Sequence, residues 1–243
     1  MEKKLIIVGT SHIAKDSVEK VKETILKFKP DVVGIELDVL RYKNLVLEYK
    51  NKNRANKKYS YISSIRQIGF KGFIFAMFGS YGIKKLSKYT GTKPGGEMLE
   101  ASLIANQNNI KVALIDQNIN VTLSDFSKSL TFREIMKFFA DFFKALFNPK
   151  KQIKELGISF NLNEVPKEEV IEKMINYLKF RYPSIYNVLV HKRNVYMSKK
   201  IIHLMKRDDI NKMVVVVGAG HKKGMIDFLN EQPSAVFDIE VVL

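Results

Sequence analysis

Four histidines and no cysteine limit the strong chemistry open to this chain. Thiolate nucleophiles and thiolate metal ligands are excluded, so any metal must be held by imidazole, carboxylate, backbone or water. Two of the histidines share a setting. Leu5 to Val8 runs into Gly9-Thr10-Ser11-His12, and Met213 to Val217 runs into Gly218-Ala219-Gly220-His221. An apolar run entering a glycine turn reads as a buried strand whose carboxyl end brings backbone close to something. In open α/β sheets ligands bind beyond those ends, so His12 and His221 are expected at one crevice. Glu36 and Asp116 follow two further apolar runs, Val32 to Ile35 and Val112 to Ile115, and take the same edge position. Two imidazoles with a carboxylate and an open position make a metal site. Such a site lowers the pKa of bound water and polarises a carbonyl, as amide or ester hydrolysis requires. Strand-end histidines that only hydrogen-bond are the competing reading, and spacing alone does not separate the two.

The other candidates carry similar alternatives. Glu97 follows Pro94-Gly95-Gly96 at a helix start, where it could act as ligand or general base. Acidic residues also favour helix amino termini on electrostatic grounds alone. Arg41 and Arg193 could stabilise developing negative charge or bind a substrate carboxylate. Equally, each could form a structural ion pair with Glu36, Asp38 or Asp116. His203, after Ile201 and Ile202, is tied to nothing else and reads as structural or surface. The glycines lack phosphate-loop spacing, and Gly218-Ala219-Gly220 lacks the third glycine of a dinucleotide fingerprint.

The elements that must position these residues emerge from periodicity. Val18, Val21, Ile25 and Phe28 share one helix face, with Asp16 or Ser17 as cap, and Lys29-Pro30-Asp31 ends that helix. The strand Val32 to Ile35 completes a β-α-β unit, and a helix from about Val39 carries Arg41. Further helices are expected at 97–108, 132–147, 168–180 and 185–205, with Ser124 or Ser129 as caps. The many phenylalanines of the 132–147 helix require a buried partner. Strands are expected at 112–115, 213–217 and 237–243. The fold class is therefore α/β, a mostly parallel central sheet flanked by helices, with helical insertions between strands. It forms a single domain whose core spans about 1–41, 95–123 and 185–243, with inserts at about 42–94 and 124–184.

At 243 residues and 46% hydrophobic content the chain can bury a substantial core. Its net charge of +16 is concentrated: residues 41–93 hold 13 Lys or Arg against one acidic residue, Glu48. One basic region on a more neutral body argues against a nucleic-acid-coating surface, and no recognised nucleic-acid module interleaves these residues. Between Ile62 and Leu86, Phe70, Phe73, Phe75, Phe78 and Tyr81 alternate with glycines, but Arg66, Lys71, Lys84 and Lys85 interrupt a membrane span. This basic segment and the aromatic helix could dock on an anionic membrane surface, form a homodimer interface, or pack their Phe faces on each other. The run after Lys3 and Lys4 is too short for a signal-peptide core, so a cytoplasmic protein, peripheral to the membrane at most, is expected.

Taken together, several segments resemble the TraB/PrgY family. They are Gly9-Thr10-Ser11-His12, Pro30-Asp31 with Glu36-Leu37-Asp38 and Arg41, Gly95-Gly96-Glu97-Met98, Ile115-Asp116, Arg193-Asn194 with Met197, and Gly218-Ala219-Gly220-His221. That family includes bacterial pheromone-shutdown proteins, is similar to the Tiki metalloproteases, and is more remotely similar to erythromycin esterase-like and ChaN-like proteins. The resemblance implies a metal-dependent hydrolase in which His12, Glu36 and His221 match positions proposed to bind metal or catalyse. The expectation is a peptidase acting on a peptide or signalling peptide, with Mn, Co or Zn held by His12, His221 and Glu36 or Asp116. Glu36 or Glu97 would activate water. The alternative is a non-catalytic protein that sequesters a peptide on the same cleft. Where many relatives read Asp-Arg-Asp, this chain has Asp116-Gln117-Asn118, and where they read Glu-Arg-Asp or Glu-Arg-Asn it has Lys192-Arg193-Asn194.

Overall fold

Unbroken runs of Val, Ile and Leu have no polar face to offer water, so they fold as strands covered on both sides. The computed structural model describes residues 3–10, 15–50, 95–147, 168–233 and 237–242. Within them lie β1 (Lys4–Thr10), β2 (Val32–Ile35), β3 (Lys111–Leu114), β4 (Lys212–Gly218) and β5 (Asp238–Val242). All pair in parallel, in the order β3-β2-β4-β1-β5. The expected α/β class and parallel sheet are what the structure has. The strands of the first β-α-β unit are parallel but not adjacent. β4 lies between them, with Ile6 beside Val214 on one side and Val33 beside Val214 on the other.

Alternation along the strands divides the core into two layers. Ile6, Val8, Val33, Ile35, Val214 and Val216 pack under α1 (Lys15–Phe28) and α3 (Gly96–Gln107), which contribute Val21, Ile25, Met98 and Ala101. Leu5, Ile7, Met213, Val215 and Val217 pack under α8 (Lys192–Met205) and α9 (Ala219–Asn230), which contribute Met197, Ile201, Met225 and Leu229. Each fully buried side chain of this size contributes about 1.5–3 kcal/mol. α1 starts at Lys15, so Asp16 and Ser17 stand inside it rather than ahead of it. α2 (Val39–Lys50) leads out of the core after Asp38.

A third cluster joins α4 (Ile119–Ser129), α5 (Phe132–Phe147), α6 (Glu168–Arg181) and α7 (Pro183–Tyr186) through Phe126, Leu130, Tyr182, Ile185 and Val188. The caps differ from expectation. Ser124 lies within α4 and Ser129 ends it, while Asn118 caps it, its Oδ1 accepting from the Asn120 N–H at 2.9 Å. α5 opens with a capping box: Thr131 Oγ1 accepts from the Glu134 N–H and donates to the Glu134 carboxylate. Phe138 packs into the third cluster, but Phe132 is 74% exposed, so the aromatic helix is not covered all round.

Two carboxylates fasten α5 to its neighbours. Glu134 accepts from the Ser184 N–H at 2.7 Å, and Asp141 accepts from Arg181 twice at 2.9 Å and from the Tyr182 hydroxyl at 2.6 Å. Burial pushes both carboxyls up, but the bonds from Ser184 and Thr131, and from Arg181 and Tyr182, outweigh it and hold both below their ordinary values of 4.5 and 3.8. A carboxyl lower in the folded chain than in the unfolded one stabilises fully above its ordinary pKa and loses that contribution as pH falls through the folded value. Asp141→Asn is therefore expected to flatten the acid limb of stability below about pH 4, read by thermal unfolding across a pH series.

The basic aromatic segment at 62–86 lies outside the described residues, as does His12. Among the described residues no helix is long and apolar enough to cross a membrane.

Candidate functional site

Three strands end at nearly one level, and their backbones keep pairing just past those ends. The Glu36 N–H donates to Val216 O at 3.1 Å, and Ile115 N–H and Asp116 N–H donate to Ile35 O and Leu37 O at 3.0 and 3.3 Å. Glu36 and Asp116 are thereby fixed at the carboxyl edge, each 4% exposed. Glu36 Oε2 accepts from the Gly218 N–H at 2.6 Å, which ties it to the start of α9. Asp116 Oδ1 accepts from the Gln117 N–H at 2.8 Å.

Arg193 joins these carboxylates. Its helix does not run regularly from 185 to 205 as its periodicity suggests. α7 passes into a π-helical turn at Asn187–His191 before α8 begins. Such turns insert a residue and rotate the next stretch of helix about its axis. Arg193 Nη1 reaches back to Leu189 O in that turn at 3.1 Å. Nε and Nη2 form a fork on Asp116, at 3.0 and 2.8 Å, and Nη2 also makes a short bond to Glu36 Oε1. Burial disfavours the charged guanidinium, yet Glu36 and Asp116 more than compensate and hold its pKa above the ordinary arginine value. Arg41, on α2, donates to Asp116 Oδ2 from the other side at 2.8 Å. Asp38 Oδ1 accepts from the Leu40 and Arg41 N–H groups, while its buried Oδ2 has no partner among the described residues.

His221 lies in the first turn of α9, with Nδ1 2.6 Å from Asn194 Oδ1 and Nε2 3.0 Å from Arg193 Nη1. A guanidinium only donates, so Nε2 accepts and the ring proton sits on Nδ1, donated to Asn194. Nε2 is also 3.3 Å from Glu36 Oε1. One nitrogen thus faces both a guanidinium donor and a carboxylate oxygen.

The structure brings together Glu36, Asp116, Arg41, Arg193 and His221. Glu97 is buried in the first turn of α3, in the layer across the sheet from α8 and α9. His203 is on the surface, as expected. The sequence reading missed Asn194, Lys222 and Gly224. Asn194 orients His221. Lys222 is 7% exposed, lays its stem on Gly9 and places Nζ 3.2 Å from Glu168 Oε1. Gly224 leaves room for Asn194, since a Cβ there would stand 2.4 Å from Asn194 Nδ2. The adjacency of Asn194 to Arg193 and of Lys222 to His221 was the available signal. Gly224→Ala is expected to cost about 1–3 kcal/mol through overpacking. It should also release the His221 ring from its single tautomer, read by nitrogen NMR of the imidazole.

Beside the network, α4 and α8 border a groove of about 610 Å³ lined by Gln117, Val121, Lys192, Val195, Tyr196 and Lys199. Gln117 and Lys192 follow and precede the network residues Asp116 and Arg193 in the chain, but no network residue itself lines the groove. Lys192 is turned to Asp125 at 2.9 Å.

The donor types at the edge suit a divalent cation. Asn194 on Nδ1 is the kind of outer contact that fixes which ring nitrogen of a histidine is turned to a ligand. Glu36, Asp38 and Asp116 outnumber Arg41 and Arg193, and Asp38 Oδ2 is an acceptor left unused among the described residues. Asp116 is the least available ligand, because Arg41, Arg193 and the Gln117 N–H engage both its oxygens. Among the described residues no three His, Asp or Glu side chains are grouped closely enough to hold a metal by themselves.

These features define a parallel α/β protein with a charged imidazole–carboxylate–arginine site at the carboxyl edge of its sheet. The TraB/PrgY/gumN family model matches residues 2–233, and the chain belongs to that family. An uncharacterized protein of Methanocaldococcus jannaschii is 34% identical over 227 residues, which cover 93% of this chain and 53% of that protein. The chain thus spans about half the length of the curated relative it matches.

Proposed function

We propose that the edge site hydrolyses an amide-type bond in a peptide, using a divalent cation, Mn, Co or Zn, bound by His221 and Glu36. The observation that supports this most is the His221 ring, held by Asn194 on Nδ1 with Nε2 toward Glu36 Oε1. When bound, such a cation supplies an acidified water and polarises the carbonyl under attack. Glu36, the carboxylate beside the cation, would accept the proton of the attacking water. Arg193 and Arg41, held by Asp116, offer N–H donors to the oxygen on which negative charge develops. The groove between α4 and α8 would receive the peptide, with Val121, Val195 and Tyr196 for an apolar side chain. The family resemblance adds His12 to the ligand set. Elemental analysis of protein purified without chelator, beside a His12→Ala, His221→Ala double variant, tests the reading. Near-stoichiometric metal lost in the variant is expected, and no metal in either after adding Mn, Co and Zn would overturn it.

A second reading is peptide sequestration without turnover. The engagement of both Asp116 oxygens by arginines and the open groove of about 610 Å³ between α4 and α8 favour it. Tight peptide binding with no cleavage in the presence of all three metals would select it.

A further inference from the structure

The atoms best placed to take a cation are already facing one. Arg193 Nη2 bonds Glu36 Oε1, and Nη1 is 3.0 Å from His221 Nε2. Neither contact is needed to anchor the arginine, because its Nε and Nη2 also form the fork on Asp116. The side chain is therefore held at one end by Asp116 and lends its remaining donors to the pair Glu36–His221. Arg41 holds Asp116 Oδ2 independently, so the anchor keeps a partner whatever Arg193 does. A guanidinium and a metal ion place positive charge on the same oxygen and compete for the same nitrogen lone pair, so both cannot occupy those atoms at once.

We propose that Arg193 is a displaceable internal cation: its guanidinium fills the cation position between Glu36 Oε1 and His221 Nε2, and a divalent ion binds there only by turning it away. This rests on the metal-binding reading above and adds a regulator to the same site. Turning it away gives up the Nη2 bonds to Glu36 Oε1 and Asp116 Oδ2 together, while Nε can stay on Asp116 Oδ1. The guanidinium neutralises Glu36 before a metal arrives, and it weakens the metal affinity of the free protein. Once turned away, Nη1 is available to a substrate oxygen, so loading the site and readying the arginine are one event.

The test is calorimetric titration of chelator-treated parent and Arg193→Gln with Mn, Co and Zn chlorides, and of an Arg193→Gln, Glu36→Gln double variant. Arg193→Gln is expected to bind about tenfold or more tighter than the parent, with the gain lost in the double variant. Equal affinity in parent and single variant overturns the displaceable-cation role and leaves the metal reading standing. No binding in either overturns the metal reading itself. If Arg193→Gln does not fold, the parent labelled with nitrogen-15 arginine is titrated with Zn. The Arg193 guanidinium signals, assigned with Arg193→Lys, must shift in step with metal occupancy. Signals that stay fixed while Zn binds overturn the proposal.

Discussion

Replacing Arg193 with methionine lowers the unfolding free energy by about 3–5 kcal/mol, the cost of breaking a buried ion pair from one side. Glu36 and Asp116 have side chains only 4% and 2% exposed, so neither can recover its lost contacts from water. Arg41 supplies the comparison. It binds the same Asp116 oxygen at the same 2.8 Å as Arg193 Nη2, but its own side chain is 34% exposed. Arg41→Met should therefore cost about 1 kcal/mol or less. Urea unfolding of the two variants checks the contrast, and a similar loss in both would show that burial of the arginine does not decide the energy.

That contrast is only partly readable from sequence. Arg41 and Arg193 each carry two readings there, a clamp for substrate charge and a structural ion pair with Glu36, Asp38 or Asp116. Geometry gives Arg193 both carboxylates together, Glu36 and Asp116, an outcome that depends on strand order. β1, β2 and β4 are each buried on both faces, so their sequences look alike and do not say which lies beside which. The strands themselves are easy to find for the same reason. The π-helical turn at Asn187–His191 is hidden because an extra residue in a helix leaves the apolar periodicity on either side almost intact. Asn194 stands out in the sequence only as part of a motif, since nothing local tells an asparagine that orients a ring from one that meets solvent. Ser124 and Ser129 do not act as the expected caps, because a helix over Ile119–Ser129 that the sequence reading lacks absorbs both. The backbone chose the residue standing between the strand end and the first helical turn.

The second large effect concerns Glu36. Glu36→Gln is expected to reduce peptide hydrolysis about 1,000-fold, within the range for loss of a general base. The fold should persist, because the glutamine carbonyl can still accept from the Gly218 N–H. A stability loss of about 1.5–3 kcal/mol is expected, because the amide NH2 then faces Arg193 Nη2 and that bond is lost. Turnover measured with Mn, Co or Zn supplied, beside thermal unfolding, separates the two effects. Full turnover with reduced stability would make Glu36 a structural counter-ion and transfer the base to another group.

The central place of β4 also sets an order of events for the newborn chain. β1 and β2 are neighbours in sequence, yet each is completed by β4, whose partner Lys4 lies about 200 residues earlier. Until residues 212–218 emerge, the two early strands have no shared partner, and their apolar edges wait open. The same late segment delivers Gly218 and His221 to Glu36. Joining of the two early strands and assembly of the edge cluster are thus a single step, so a nascent or truncated chain lacking β4 has neither a finished core nor an assembled edge cluster. Refolding should be slow, with a transition state built around long-range strand pairing.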